Sequence, residues 1–311
     1  MGSGGRLYGD PRHVVERTGQ FHRRAAGCRV KFAVSNIAWP VDRLTEAYAM
    51  LRDHGVAGLE IAPGLFLAHA ADPFRPSSDE LGAAIDAVRD AGLELVSMQS
   101  LLFGVADAAL FEGADARETL VAAMHRAIDL AGRLAIPTLV FGSPRQRRIP
   151  ATLDEEQAAA IAIDLFRTLG DRAASCGTRI AMEPNPAAYG TNFLNRMEEA
   201  DAFVRRVDHP AIVLNFDIGA LHMEGDFARI ERIAADTIDR IGHVHISEPQ
   251  LAPAPADVSQ AAHALRILRD AGYQGWYSIE MKAAMPDSLD ALRRSLDILE
   301  QAVQEATNVV A

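Results

Sequence analysis

The chain has few cysteines: Cys28 and Cys176 are the only two among its 311 residues. So low a number excludes a disulfide-stapled scaffold and a cysteine-rich zinc module. It fits a reducing compartment, and we therefore expect a cytoplasmic location. The sequence also lacks any run approaching the ~18–20 apolar residues that a membrane helix requires, which predicts a protein that does not span a membrane.

The chain also has fewer basic than acidic residues. The chain has 31 Lys and Arg against 42 Asp and Glu, a formal charge of −11 at pH 7. A nucleic-acid-binding protein needs a basic face to neutralise phosphates, so we do not expect a nucleic-acid partner. The content of 49% hydrophobic and 23% charged residues is typical of a globular protein with a sizeable core.

Residues 1–27 differ in composition from the rest of the chain. They are rich in Gly, Arg and His and lack the apolar stretch of a secretory signal. A disordered extension, native or introduced for expression, is the interpretation we favour. A docking arm for another subunit and a targeting peptide are the alternatives. We assign the folded domain to residues 28–311.

From Val30 onward, short apolar runs alternate with longer amphipathic segments. The short runs are rich in Val, Ile, Leu and Phe, and most lie next to Gly, Pro, Asn or Ser, which indicates buried strands. They cover 30–35, 58–62, 93–98, 138–143, 179–183, 212–217, 242–247 and 276–280. Segments with helical periodicity cover 42–54, 78–91, 117–135, 155–176, 195–207, 226–237, 257–271 and 287–305.

Eight strand–helix units in succession predict a single-domain (β/α)8 barrel, the TIM barrel. The alternative is a doubly wound open sheet. That fold usually has fewer strands, and no GxGxxG motif follows the first strand here. We therefore predict the barrel.

Acidic and imidazole groups lie at the carboxyl ends of the last four predicted strands, where barrels carry their chemistry. Glu183 ends the fifth run and Asp217 the sixth, the seventh contains His243 and His245, and Glu280 ends the eighth. Each group alone is more often a salt-bridged or core residue. Three carboxylates at one barrel mouth, however, would repel one another unless a cation lay between them. Oxygen donors with one imidazole suit Mn²⁺, Mg²⁺ or Co²⁺.

Four short motifs resemble those of the xylose isomerase-like TIM barrels. They are EPN at 183–185, FD with a nearby HM at 222–223, GHVH at 242–245 and SIE at 278–280. This group includes sugar phosphate isomerases and epimerases, ketose 3-epimerases and endonuclease IV-type enzymes, and the resemblance extends from Val30 to about Val303. It implies one divalent cation, Mn²⁺ before Mg²⁺, Co²⁺ or Zn²⁺, held by Glu183, Asp217, His245 and Glu280.

The resemblance also implies a function. The protein is expected to be an isomerase or epimerase of a sugar or sugar derivative that works through a metal-stabilised enediolate. Glu183 and Glu280 would then be the catalytic acid/base pair. His222 matches the histidine that contacts substrate hydroxyls in the ketose epimerases.

Five further residues are candidates for binding the substrate. Arg145 belongs to an arginine-rich loop that could clamp a phosphate or carboxylate, although a solvated loop is the alternative. Trp39 could stack on a sugar face or simply fill a loop. Glu60, Asn185 and Lys282 complete the set, Glu60 because it alternates inward along its strand and Lys282 because it follows Glu280 by two residues.

The chain differs from the ketose epimerases in the residues that contact substrate hydroxyls. Leu251 stands where those enzymes have an arginine. The second glutamate after the Glu183 motif is missing from the stretch that ends in Tyr189. A free ketohexose is therefore not the expected substrate.

Three other functions compete with the isomerase. A lyase or dehydratase could act on a keto-sugar, keto-inositol or 3-keto-glycoside with the same metal and base. A barrel could bind sugar without catalysis. An endonuclease IV-like enzyme would need further zinc-binding histidines on earlier strands, where Gln99 and Ser143 stand instead. The expected partner is a small carbohydrate, and a homo-oligomer is left open.

Overall fold

A computed structural model describes residues 30–308, so the predicted extension at 1–27 lies outside the described residues. The strands are β1 (Lys31–Ser35), β2 (Gly58–Ile61), β3 (Glu94–Met98), β4 (Thr138–Phe141), β5 (Arg179–Met182), β6 (Ile212–Asp217), β7 (Ile241–Ser247) and β8 (Trp276–Glu280). The helices are α1 (Leu44–Asp53), α2 (Pro63–Phe66), α3 (Ser78–Asp90), α4 (Ala114–Leu134), α5 (Glu155–Ser175), α6 (Met197–Val207), α7 (Ile218–Met223), α8 (Ile230–Thr237), α9 (Val258–Asp270) and α10 (Ser288–Asn308).

The eight strands form one closed parallel barrel in chain order, with β1 hydrogen-bonded to β8. This confirms the predicted (β/α)8 fold, and the open-sheet alternative is wrong. The eight long helices begin and end within about four residues of the predicted segments. None of the helices in the described residues is both long and apolar enough to cross a bilayer.

The core lies between the barrel and its helices. Phe166 of α5 is fully buried, with its ring centroid 5.0 Å from that of Phe141 on β4 and 5.7 Å from that of Phe203 on α6. Both pairs are edge-to-face, the geometry that aromatic rings prefer. Because successive strand residues point to opposite faces, the outward apolar residues build this layer and the inward ones line the barrel.

Local signals fix where the helices begin and end. The Ser77 hydroxyl accepts a hydrogen bond from the Glu80 backbone N–H, and the Glu80 carboxylate accepts one from Ser77 N–H, which makes a capping box before α3. Gly55 and Gly92, which follow α1 and α3, have positive φ angles of 69° and 72°. Glycine adopts this conformation without the strain that a Cβ would introduce.

Two short helices, α2 and α7, lie in the loops after β2 and β6 and were not predicted. The Asp217 side chain caps α7, since its Oδ1 accepts a hydrogen bond of 2.7 Å from the Ala220 backbone N–H. The last residue of β6 is thereby hydrogen-bonded to the helix that follows it. Its carboxylate is held at the barrel mouth.

Candidate metal centre

Four consecutive strands bring four side chains together at the mouth of the barrel. Glu183 follows β5 directly, Asp217 and Glu280 end β6 and β8, and His245 lies near the end of β7. One ligand atom from each of these residues lies within 4.8 Å of the others, and all four residues are buried. The convergence follows from the topology, because neighbouring parallel strands end at the same rim.

The Nδ1 atom of His245 faces the three carboxylates. It lies 3.0 Å from Oε1 of Glu183, 3.3 Å from Oε2 of Glu280 and 3.8 Å from Oδ2 of Asp217. Three carboxylates and one imidazole form the donor set that hard divalent cations such as Mn²⁺ and Mg²⁺ prefer. The residues present therefore fit one such cation.

Amide and hydroxyl groups hold the carboxylates in place. The Asn215 amide donates to Oε1 of Glu183 at 2.9 Å, and the Asn185 amide donates to Oε2 of the same side chain at 3.0 Å. The Ser247 hydroxyl donates to Oδ1 of Asp217 at 2.8 Å. Each contact fixes a carboxylate orientation before any ligand arrives, as outer hydrogen bonds do in metal sites.

The other ring nitrogen of His245 is engaged inside the barrel. Its Nε2 lies 3.0 Å from Oε2 of Glu60, and that carboxylate oxygen also lies 3.2 Å from Nε2 of His243. Ser97 and Gln99 donate to Glu60 at 2.6 Å and 2.9 Å. Because a carboxylate on Nε2 favours a proton there, Nδ1, which also lies 3.2 Å from the Asn215 amide nitrogen, is the ring nitrogen whose lone pair can bind a cation.

Charge and burial shape the titration of these groups. Burial raises the pKa of Glu280 to about 7, an effect reinforced by Glu183 and Asp217 and opposed by His245. Burial alone would raise the pKa of Glu60, but His245 and His243 hold it well below the usual value. The pKa of His245 rises well above its usual value because the carboxylates around it, Glu60 first, outweigh its burial. The cluster of negative charge thus requires positive compensation.

Two residues of the loop after β4 shape the space around Glu183. A Cβ atom at Gly142 would collide with Oε2 of Glu183, so glycine makes room for the carboxylate. Arg147 is fully buried and donates to the Glu183 backbone carbonyl at 2.7 Å. Its burial lowers the pKa of its guanidinium to about 10, although Glu183 opposes the shift.

A cavity of about 610 Å³ opens above the four side chains. Asn185, Arg145 and Lys282, all predicted to bind the substrate, line it together with Glu183, Asp217 and Glu280. Arg145 and Lys282 are exposed to solvent. The structure thus brings three of the six predicted substrate-binding residues to one cavity with the predicted ligands.

The other three predicted substrate-binding residues do not line this cavity, and their contact with a substrate stays a prediction. Glu60 is fully buried and lies beneath the centre. Trp39 is buried and packs edge-to-face against Tyr48 at 6.2 Å between ring centroids. His222 stacks on Phe227 at 4.1 Å between ring centroids and is absent from the cavity lining.

Several residues of the site were missed from the sequence. Asn215, Ser97 and Ser247 support the centre, and the alternation along strands could have found Asn215, which lies two residues before Asp217. The Tyr189 hydroxyl accepts a hydrogen bond from the Gln250 backbone N–H at 3.0 Å, joining the loops after β5 and β7. Nothing in the local sequence signals that contact.

Solved structures with the same fold include several sugar epimerases. The 3-keto-D-glucoside 4-epimerase of E. coli is 20% identical with a TM-score of 0.67, covering 87% of this chain and 99% of that one. The D-psicose 3-epimerase of Clostridium cellulolyticum is 17% identical with a TM-score of 0.69, covering 89% and 99%. A Mycobacterium smegmatis xylose isomerase-like TIM barrel protein, solved with magnesium, is 18% identical with a TM-score of 0.59, covering 89% and 98%. At this level of identity, the likeness establishes the fold.

The sequence also matches a family model. A search of the curated proteins found no match. The model described as xylose isomerase-like TIM barrel, by contrast, matches residues 48–302, most of the chain. This range contains seven of the eight strands and all four residues of the candidate metal centre. The chain therefore belongs to the xylose isomerase-like TIM barrels.

Proposed function

We propose that the protein is a divalent-metal-dependent isomerase or epimerase of a sugar derivative. The observation that carries this proposal is the convergence of Glu183, Asp217, His245 and Glu280 beneath an open cavity. The sugar epimerases among the structural neighbours support the reaction class. We propose Mn²⁺ as the ion, because the donor set combines carboxylate oxygens with one imidazole nitrogen.

A bound cation would supply a Lewis acid for the carbonyl and adjacent hydroxyl oxygens of the substrate. The protein's own part is proton transfer at the neighbouring carbon. Glu183 and Glu280 reach the centre from β5 and β8, strands separated by β6 and β7. One carboxylate removes the C–H proton and the other returns a proton to the opposite face, so that the carbon inverts and no atom is lost.

The supporting groups have defined tasks in this scheme. Asn185 and Asn215 hold the two oxygens of Glu183, so the carboxylate stays oriented while it accepts and releases a proton. Ser247 and the Ala220 backbone N–H hold Asp217 and keep it in place as a ligand. Such preorganisation lowers the cost of reaching the reactive geometry.

The test combines metal analysis with hydrogen exchange. We expect about one ion per chain after loading with Mn²⁺, and deuterium incorporation beside the carbonyl when keto-sugars and their derivatives are incubated in D₂O. Substrate mass that is otherwise conserved indicates an epimerase or isomerase, whereas loss of water or an aglycone indicates the lyase. A loaded protein that exchanges no C–H proton in any keto-sugar would contradict the proposal. About three zinc ions per chain with cleavage at abasic sites would favour the endonuclease.

A further inference from the structure

The cavity extends well beyond the candidate ligands. Its lining comes from the loops after β3 to β8, whereas the four ligands belong to β5–β8 alone. The volume of about 610 Å³ lies in the range of ~300–1,000 Å³ that is typical of pockets for drug-sized ligands. A free hexose, which is smaller, would occupy the space next to the ligands and leave the side at β3 and β4 empty.

That far side combines apolar and polar groups. Leu102 and Phe103 on the loop after β3 and Pro144 on the loop after β4 line it beside Ser100, Ser143, Arg145 and Gln146, and no acidic residue of these two loops does. The Phe103 side chain is 77% exposed and is one of only two large hydrophobic residues exposed to this degree among residues 30–308. An aromatic ring of this size is ordinarily packed, and at a cavity wall it offers a platform for an apolar ligand group.

Two amide donors next to the centre are already engaged. The Gln99 amide donates to Ser35 and Glu60, and the Asn185 amide donates to Glu183. Ala220 and Leu251, which also line the cavity, offer no side-chain hydrogen bond. A hydroxyl placed over the Phe103 ring would have no hydrogen-bond partner in that side chain, which is costly.

We infer that the substrate is a glycoside whose keto-sugar lies over the metal centre and whose aglycone is an aryl or long alkyl group packed against Phe103 and Leu102. This inference rests on the proposed function for the sugar-binding half of the cavity. It adds a second subsite, on the loop after β3, that selects the aglycone. Phe103 is the residue that determines the selectivity.

The test compares matched glycosides that differ only in the aglycone. Binding is measured by calorimetry with methyl and phenyl β-D-glucoside, which carry no ketone and so do not react. Turnover is measured with their 3-keto forms and with 3-keto-D-glucose, because the E. coli neighbour acts on a 3-keto-glucoside. We expect the phenyl compounds to bind and react about tenfold better than the methyl ones, a ratio of the order that an aromatic pair contributes.

Phe103→Ala should reduce the phenyl-to-methyl ratio to about one, because the phenyl group then loses its aromatic partner. Met285→Ala is the matched control. Met285 is 71% exposed at the same end of the barrel but does not line the cavity, so the phenyl-to-methyl ratio should not change in this variant. A ratio near one in the unmodified protein, or an unchanged ratio in Phe103→Ala, overturns the inference. So does a change of oligomeric state in Phe103→Ala with the ratio preserved.

Binding and turnover separate this inference from the proposed function. A phenyl preference in binding that depends on Phe103, without turnover of any keto compound, refutes the isomerase and upholds the aglycone subsite. Turnover of 3-keto-D-glucose as fast as of the phenyl glycoside upholds the isomerase and refutes the subsite.

Discussion

The two halves of the barrel differ in what they contribute to the centre. Strands β5–β8 supply all four candidate ligands, and β1–β4 supply none of them. The first half instead places Ser35, Glu60, Ser97 and Gln99 in a buried hydrogen-bonded network beneath the site. The two halves meet where Glu60 of β2 contacts His245 of β7 across the barrel interior.

This difference shows that the two halves of a closed barrel can have separate roles: one half supplies the ligands, and the other half orients them. The four candidate ligands come from consecutive strands, whose ends lie close together at one rim. The orientation of a ligand can be set from the opposite side, because the interior of an eight-stranded barrel is just wide enough for side chains of facing strands to touch. Substitutions in the two halves should therefore have effects of different kind and size.

The largest effect is expected in the ligand-bearing half. Glu183→Gln keeps the shape of the side chain but removes its ability to accept a proton, so turnover should fall by ~10²–10⁴-fold. The measurement is the steady-state rate with Mn²⁺ in excess. Glu94→Gln is the control in the other half, where Glu94 is exposed at the start of β3 and no change is expected. A Glu183→Gln rate within twofold of the unmodified protein would show that Glu183 is not the base.

Replacing the two histidines of β7 in turn separates a candidate ligand from a supporting residue on the same strand. His245→Ala should reduce bound metal to background, because Nδ1 is the nitrogen that faces the carboxylates. His243→Ala should retain much of the metal, since its ring contacts Glu60 and not the ligand carboxylates. Metal content and the stabilisation by added Mn²⁺ are the measurements.

At a concentration of 100 times Kd, bound metal stabilises the folded state by about 2.7 kcal/mol, which raises the melting temperature. This increase should survive in His243→Ala and vanish in His245→Ala. Equal loss of metal in both variants would mean that the two histidines do not have the separate roles assigned here.

A change in the other half should act on the metal through His245. Glu60→Gln replaces the carboxylate that contacts Nε2, and we expect metal affinity to fall by about 10–100-fold, the effect of losing an outer partner of a ligating histidine. Competitive titration with a metal-sensitive dye measures this. Glu94→Gln again serves as the matched control, and an unchanged affinity in Glu60→Gln would show that the halves are not coupled.

The smallest effect is expected outside the barrel interior. Ser77→Ala removes the capping box of α3 and should lower the free energy of unfolding by about 1 kcal/mol, without a change in metal affinity. Urea denaturation measures the stability. Ser78→Ala is the control next to it, because Ser78 is exposed and is not the capping residue. A loss of stability as large in Ser78→Ala would place the cap elsewhere.

Much of the architecture could be predicted because its signals are local. Apolar runs such as the one ending in Asp217 alternate with amphipathic segments, and eight repeats of this unit have few other solutions than a closed barrel. The acidic and imidazole groups at the rim followed from the same pattern, since each lies at or near the end of a strand, whereas the choice of His245 over His243 followed from the family resemblance alone. Glu60 was correctly expected to point inward, but its partner His245 is 185 residues away and no local pattern specifies that contact.

The sequence by itself determined the order of strands and helices, and the acidic and imidazole groups at the rim, because periodicity and strand ends are properties of neighbouring residues. Only the tertiary structure decided which groups touch. It buried Arg147 against the Glu183 backbone, packed His222 on Phe227 and left Phe103 on the wall of the cavity. The physical reason is that loop paths depend on packing against distant segments, which residues close in sequence cannot fix.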